Sequence, residues 1–499
     1  MNLQDFLQHH HLAHNPFAEE DAQTDAVFKQ HCIDSTFHPA WDKVFGSPAD
    51  PSTSIVFGPK GSGKTAMRLQ LDKHIQAYNR QNPDARVFII HYDDFNGYIG
   101  HMQSRLGGWS SRKPEKVLGH FGIQDHMDAI LIQGVTALLD QILQTSNSSL
   151  NPDAAVRQDA IDRLDKNQRA DLLLLATSYD QSMLGNTSVR WDQLRTRLRI
   201  PKWRASVDWL LAWVGSIVTA GVCAALFYQG YTTLRTTIIA FVVVSLLLSA
   251  KYLWRVMHCY RRASQMSRNC RVRRQSVTEQ AHLMLKQPWS LWASEPMPTD
   301  RVSASRYELL EKFQHILRTL GFPGILVFVD RVDEPQLVNG QPERMRLLIW
   351  PLLDNKLLKH PGLGFKLLLP QELQYFVDRE SREFHERARL DKQNVIFGFD
   401  WTGEALFDLT CARMKGCAEP GFSPLPTDLF EPAIDGQRLI AAMRDLRVPR
   451  NLFRFLYRVV SEHCKKYTSA EPQYQIAVST FESVLAVSQE EFRRQSTSS

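Results

Sequence analysis

The run Gly58-Pro59-Lys60-Gly61-Ser62-Gly63-Lys64-Thr65 matches the spacing G-x-x-x-x-G-K-[ST], with an apolar stretch before it and an amphipathic one after it. Glycines at these positions let the backbone curl so that its N–H groups face inward, where they can hold phosphate oxygens. The first turn of the helix that follows, through Ala66, adds the positive end of its dipole. In this chemistry Lys64 reaches the β- and γ-phosphates of a nucleotide and the Thr65 hydroxyl holds Mg²⁺. Gly58 to Ala66 are therefore the candidate nucleotide-binding residues, and Thr65 is a candidate metal ligand.

A phosphate loop needs a carboxylate from a neighbouring strand to complete the metal site. GILVFVDRVDEP supplies one: an apolar run ends in Asp330, with Asp333 and Glu334 just beyond. Asp330 takes the Walker B role because a carboxylate at a strand's carboxyl end faces the phosphates. Asp333 and Glu334 are the candidates for polarising the attacking water, with the choice between them open because Arg331 follows Asp330 directly. Asp93 and Asp94 form a competing acidic pair that more simply ends a strand. Charge neutralisation at the γ-phosphate needs a cation or a polar sensor. Pro370-Gln371 offers the sensor position, and Arg379, Arg382, Arg387 and Arg389 are finger candidates for a neighbouring subunit or residues of a solvated helix. Arg447 and Arg450 stand at a helix start beside Pro449, and Arg450 is the one placed to fold back onto a nucleotide. Guanine selectivity calls for Asn-Lys-x-Asp, and Asn355-Lys356-Leu357-Leu358 lacks the aspartate, so ATP is expected.

These residues need a scaffold of buried strands. Ser54–Phe57, Arg86–Tyr92, Gly324–Val329, Phe365–Leu369 and Asn394–Phe399 are short apolar runs without polar alternation, as in a parallel sheet covered on both faces. Helical patterning fills 101–199, returns at Ala304–Leu320, and dominates after Trp401 with a break near 419–426. A 499-residue chain with 43% hydrophobic and 22% charged residues is globular and long enough for two or three domains. Seven scattered cysteines without a Cys-x-x-Cys argue against a disulfide framework and a structural zinc site. No cleavable signal peptide is read at the start, where His9, His10, His11 and His14 are expected to be solvated.

One segment departs from soluble patterning. Trp209 to Leu234 carries no charge and as a helix would span about 39 Å, against a hydrocarbon core of about 30 Å. A second run, Thr236–Ala250, reaches comparable length if it continues through Trp254. Arg190, Arg195, Arg197, Arg199, Lys202 and Arg204 precede the first span. Lys251, Arg255, Arg261, Arg262, Arg268, Arg271, Arg273 and Arg274 follow the second, while the loop holds Arg235 alone. The positive-inside rule puts both ends on the cytoplasmic side, the inner membrane in a bacterium. Trp203, Trp209, Tyr228, Tyr231, Tyr252 and Trp254 suit the two interfaces. A buried hairpin in a soluble core is the alternative. The net charge of +6 is concentrated beside this segment, so membrane lipid explains it better than nucleic acid does.

With GPKGSGKT at 58–65, VFVDRVDE at 327–334 and a transmembrane hairpin between them, the chain resembles the KAP family of P-loop NTPases. The resemblance continues loosely through VPRNLFRF and implies a membrane-anchored ATPase on the cytoplasmic face; some bacterial members are linked to phage exclusion. Asp-x-x-Asp-Glu in place of adjacent aspartates also resembles STAND-type signalling ATPases, whose C-terminal repeats are missing here. The expected fold is an α/β P-loop NTPase parallel sheet with a helical insertion, an inserted two-helix transmembrane hairpin and a C-terminal helical lid. Its parts are a lead segment (1–45), Walker A core (46–100), helical insertion (101–204), hairpin (205–256), return helices (257–320), Walker B core (321–400), and lid with tail (401–499). ATP and Mg²⁺ are the expected ligands and membrane lipid the expected partner. A homo-oligomer would supply the finger in trans. No feature identifies a protein partner, and the ABC signature of a transport energiser is lacking.

Overall fold

The computed structural model describes residues 1–106, 113–143, 156–182, 186–200, 203–229, 233–287, 297–298, 303–353, 356–392 and 394–497. Lys202, Tyr231 and Asn355 lie outside them, as do the side chains of Trp203, Arg204 and Trp209. Five strands form one sheet in the order β2-β3-β4-β1-β5: β1 (Ser54–Gly58), β2 (Val87–Tyr92), β3 (Gly324–Val329), β4 (Leu363–Pro370) and β5 (Val395–Phe397). β1 runs parallel to β4, with Ser54 opposite Lys366 and Gly58 opposite Pro370, and parallel to β5 on its other side. Every residue of β1, β3 and β4 is buried, which is why these strands read as unbroken apolar runs. The chain divides into two compact units, one of Met1–Asn82 with Leu326–Ser499 and one of Pro83–Ile325.

β4 breaks its own pattern at Lys366, which is 1% exposed and whose ammonium donates a long hydrogen bond, 3.4 Å, to the Phe45 carbonyl. Burial pulls its ammonium down to about 8. A lysine depressed in the folded state destabilises that state fully below the folded value, and the penalty disappears as pH climbs towards the ordinary lysine range. Lys366→Met should therefore stabilise the protein at pH 7 by on the order of 2–3 kcal/mol. The gain should shrink between pH 8 and 10, as read from urea melts of both proteins at each pH. A gain independent of pH would mean that the charge is not its source.

In the first unit the lead segment is not a solvated arm, contrary to the expectation from its histidines. Phe6, Leu7, Leu12 and Phe17 are buried in one cluster with Leu452, Leu456 and Phe481 of the C-terminal helices. His10 is 8% exposed and bonds the Tyr474 carbonyl, while His9 stacks on Tyr474 and His11 on Phe422. The polar look of HHHLAH hid an apolar spacing, Phe6-Leu7-Leu12, that serves a helix of seven residues, Leu3–His9. The C-terminal helices of this unit are Gly403–Cys417, Gly436–Leu446, Pro449–Lys466 and Val478–Thr497. Pro449 opens the third of these, where its missing N–H costs nothing.

The second unit holds β2, the helices of the insertion and a helix of 36 residues, Leu234–Asn269. Among the described residues this is the one helix long and apolar enough to cross a membrane. Its first part is bare, with Ile239 62% and Leu247 68% exposed. Helix Trp203–Tyr228 lies against it, and Gly215 permits the approach, since a Cβ there would sit 3.0 Å from Leu248. The expected second span ended near Trp254, but the helix continues without a break into the unit's core. Arg255, Cys259, Ala263 and Met266 are buried at helical spacing. Arg255 donates to the Leu285 and Gln287 carbonyls at the end of helix Val277–Leu285, so this member of the basic flank is a capping residue. Arg271 pairs with Asp125 at 2.6 Å, and Arg306 pairs with Asp128 with both side chains fully buried.

Candidate nucleotide site

β1 leads into the loop 58–63 and then into helix Lys64–Gln81, the strand–loop–helix context the motif requires. Gly61 and Gly63 hold φ of +86° and +94°, a region other residues reach only with strain. The loop is also enclosed. Trp401 donates its indole N–H to the Ser62 carbonyl at 2.8 Å, and the Arg450 backbone N–H donates to the Gly61 carbonyl at 3.3 Å. Lys64, Thr65 and Asp330 line one cavity. Thr65 donates its hydroxyl proton to Asp330 Oδ2 at 3.2 Å, from a strand 265 positions away in sequence. Asp330 is 2% exposed, and Arg331 donates its backbone N–H to the other carboxylate oxygen at 2.9 Å.

A cavity of about 330 Å³ opens at this point, lined by Lys60, Gly61, Lys64, Thr65, Asp330 and Arg450 among others. That is the lower end of the size range for small-molecule sites. Asp333 and Glu334 also line it, so all four acidic or basic catalytic candidates share one space. The Lys64 ammonium donates to the Gly58 carbonyl at 2.6 Å and the Pro59 carbonyl at 3.0 Å. Burial lowers its pKa from the ordinary value, and the charges of Asp330, Asp333 and Glu372 oppose that shift. Burial raises the Asp330 carboxyl, chiefly against the Arg68 guanidinium. Burial also raises Glu334, which lies 3.5 Å from Arg331.

Several site residues escaped the sequence reading. Arg68 Nε lies 3.3 Å from Asp330 Oδ2, with both side chains buried. Its signal was present: four residues after Lys64, it shares that face of the helix. Pro370 and Glu372 line the cavity, whereas Gln371, the residue expected as a sensor, is exposed and does not. The lead segment contributes Glu20, Asp21, Asp25 and Phe28, which no local pattern announced. His38 is held neutral: burial lowers its pKa to about 4, Ala40 donates to its Nδ1, and its Nε2 donates to the Asp400 carbonyl. It stacks on Phe399 at 3.6 Å, behind the loop that carries Trp401.

Other candidates lie elsewhere. Arg379 covers the Tyr375 ring at 3.7 Å, Arg382 pairs with Glu386, and neither these nor Arg387 and Arg389 line the cavity. Arg447 takes a left-handed φ of +62° and accepts the Trp401 backbone N–H on its carbonyl. Asp94 accepts the Asn96 backbone N–H and so ends β2 in the second unit. Among the described residues no cluster of His, Cys, Asp or Glu is placed to hold a metal by itself. Thr65 and Asp330 would therefore share Mg²⁺ with phosphate oxygens and water, the usual habit of that ion. The hard oxygen donors fit it. Compared with family models, curated proteins and solved structures, the chain matches none of them.

Proposed function

We propose that the chain is a membrane-anchored P-loop ATPase, KAP-like in organisation, that binds and hydrolyses ATP with Mg²⁺ on the cytoplasmic face. The observation that carries this is the meeting of Thr65 and Asp330 at 3.2 Å in a cavity also lined by Lys64 and Arg450. Loop N–H groups from 58 to 66 would cradle the β-phosphate, and Lys64 would release the Gly58 and Pro59 carbonyls to take phosphate oxygens. Magnesium, when bound, would neutralise charge on the β- and γ-oxygens. Asp333 or Glu334 would orient water in line with the γ-phosphorus, and burial, which raises the Glu334 carboxyl, makes it the stronger base of the two in this reading. Phe28, Met67, Leu409 and Phe453 give the cavity an apolar wall suited to a purine.

Helix Leu234–Asn269 supplies the membrane anchor in this proposal, and helix Trp203–Tyr228 a second pass that leaves both flanks cytoplasmic. Retention of the chain in membranes after alkaline carbonate extraction supports the anchor, and release into the supernatant rejects it. A second reading is a slow nucleotide-dependent switch that recruits partners. It is favoured by the mutual engagement of the site's charges: Lys64 with loop carbonyls, Asp330 with Arg68, Arg450 with Glu20. Single-turnover hydrolysis separates the two. Turnover within seconds marks an ATPase, and bound ATP that persists for many minutes marks a switch.

A further inference from the structure

We propose that Glu20 is a specificity-determining residue that competes with a γ-phosphate for Arg450 and so narrows the site's preference for a nucleoside triphosphate over a diphosphate. This inference rests on the nucleotide reading above. Glu20 comes from the lead segment, lines the cavity, and sits between two arginines of helix Pro449–Lys466. Its Oε1 accepts from Arg454 Nε at 2.6 Å, and its Oε2 lies 3.7 Å from Arg450 Nε. The second separation is an ion pair without a hydrogen bond, and Arg450 Nε is buried with no acceptor. A buried guanidinium N–H beside the phosphate loop, left without an acceptor, is a donor waiting for one.

The geometry limits what Arg450 can do. Its backbone N–H is fixed to Gly61 and its Cβ packs against that glycine, so only the distal side chain is free to move. Glu20 is on a segment pinned nearby, because Arg413 donates to the Pro16 carbonyl and pairs with Asp25. The carboxylate therefore stays within reach of Arg450, and the guanidinium chooses between it and phosphate. A diphosphate leaves Arg450 with Glu20. A γ-phosphate offers more charge and a better hydrogen bond, draws Arg450 away, and leaves Glu20 satisfied by Arg454. The competition lowers affinity for the triphosphate, because only it uses Arg450, and leaves the diphosphate nearly unaffected.

The test measures fluorescent ATP and ADP affinities, with Mg²⁺, on the full-length protein in detergent. Glu20→Gln is close to isosteric and should tighten ATP by about five- to tenfold while ADP changes less than twofold. Arg450→Gln should bring the two nucleotides to nearly equal affinity. Melting without nucleotide checks that each variant folds, and Arg454→Gln provides a second route, since freeing Glu20 to hold Arg450 more tightly should weaken ATP alone. An ATP-to-ADP ratio unchanged in Glu20→Gln, with wild-type binding intact, overturns the inference and leaves the nucleotide reading standing. Failure of the wild type to bind either nucleotide overturns both.

Discussion

Gly61→Ala is expected to weaken ATP binding at least 100-fold while leaving the rest of the fold in place. A methyl at this position would sit 2.6 Å from Arg450 Cβ and 3.0 Å from its Cδ, at a backbone φ of +86°. The left-handed conformation alone costs about 1–2 kcal/mol for a residue with a Cβ. The clash adds to it, because Arg450 Cβ lies on a helix start whose N–H is tied to the same glycine and cannot simply rotate away. The loop must move, and its N–H groups leave the positions that face phosphate. Titration calorimetry with ATP and Mg²⁺ measures the loss. An unaltered affinity would mean that the loop's conformation has nothing to do with binding.

Asp330→Asn should reduce hydrolysis by about 100- to 1000-fold and remove the Mg²⁺-dependent share of ATP affinity. The reason is the hard-oxygen pair with Thr65, since an amide is a poor magnesium ligand. The substitution also leaves Arg68, whose side chain is 7% exposed, beside a neutral group, and a broken buried pair costs about 3–5 kcal/mol. Thr65→Ala separates the two effects. It removes one metal ligand but keeps the Arg68–Asp330 pair, so it should lose activity with little loss of stability. Steady-state rates and melts on both variants check this. Equal destabilisation in both, or full activity in either, would contradict the assignment of roles.

Most of the sheet was legible because β1, β3 and β4 are buried along their whole length and so read as apolar runs. The strand–loop–helix context of residues 58–65 was legible because its pattern is local, a glycine-rich spacing of eight residues. Trp401 and Glu20 were not. Trp401 reaches Ser62 across 339 positions, and Glu20 reaches Arg454 across 434, and neither sequence neighbourhood differs from an ordinary loop. The lead segment was misread for a related reason: histidines suggest solvent, yet His10 and Phe6 are buried against helices from the other end of the chain. Lys366 ran against the pattern without obscuring it, since one cation in an otherwise apolar run of eight still packs as a strand. The long helix Leu234–Asn269 was read short because the basic run that begins at Arg255 suggested an end near Trp254, whereas Arg255 is buried as a cap on another helix.

The central claim is that Lys64, Thr65 and Asp330 form one triphosphate site, and calorimetric titration of ATP with and without Mg²⁺ tests it most directly. The wild type should bind ATP in the micromolar range, more tightly with the metal present, and Lys64→Ala should abolish that binding while melting at a similar temperature. Equal ATP affinity in wild type and Lys64→Ala, or heat signals that ignore Mg²⁺, would contradict it.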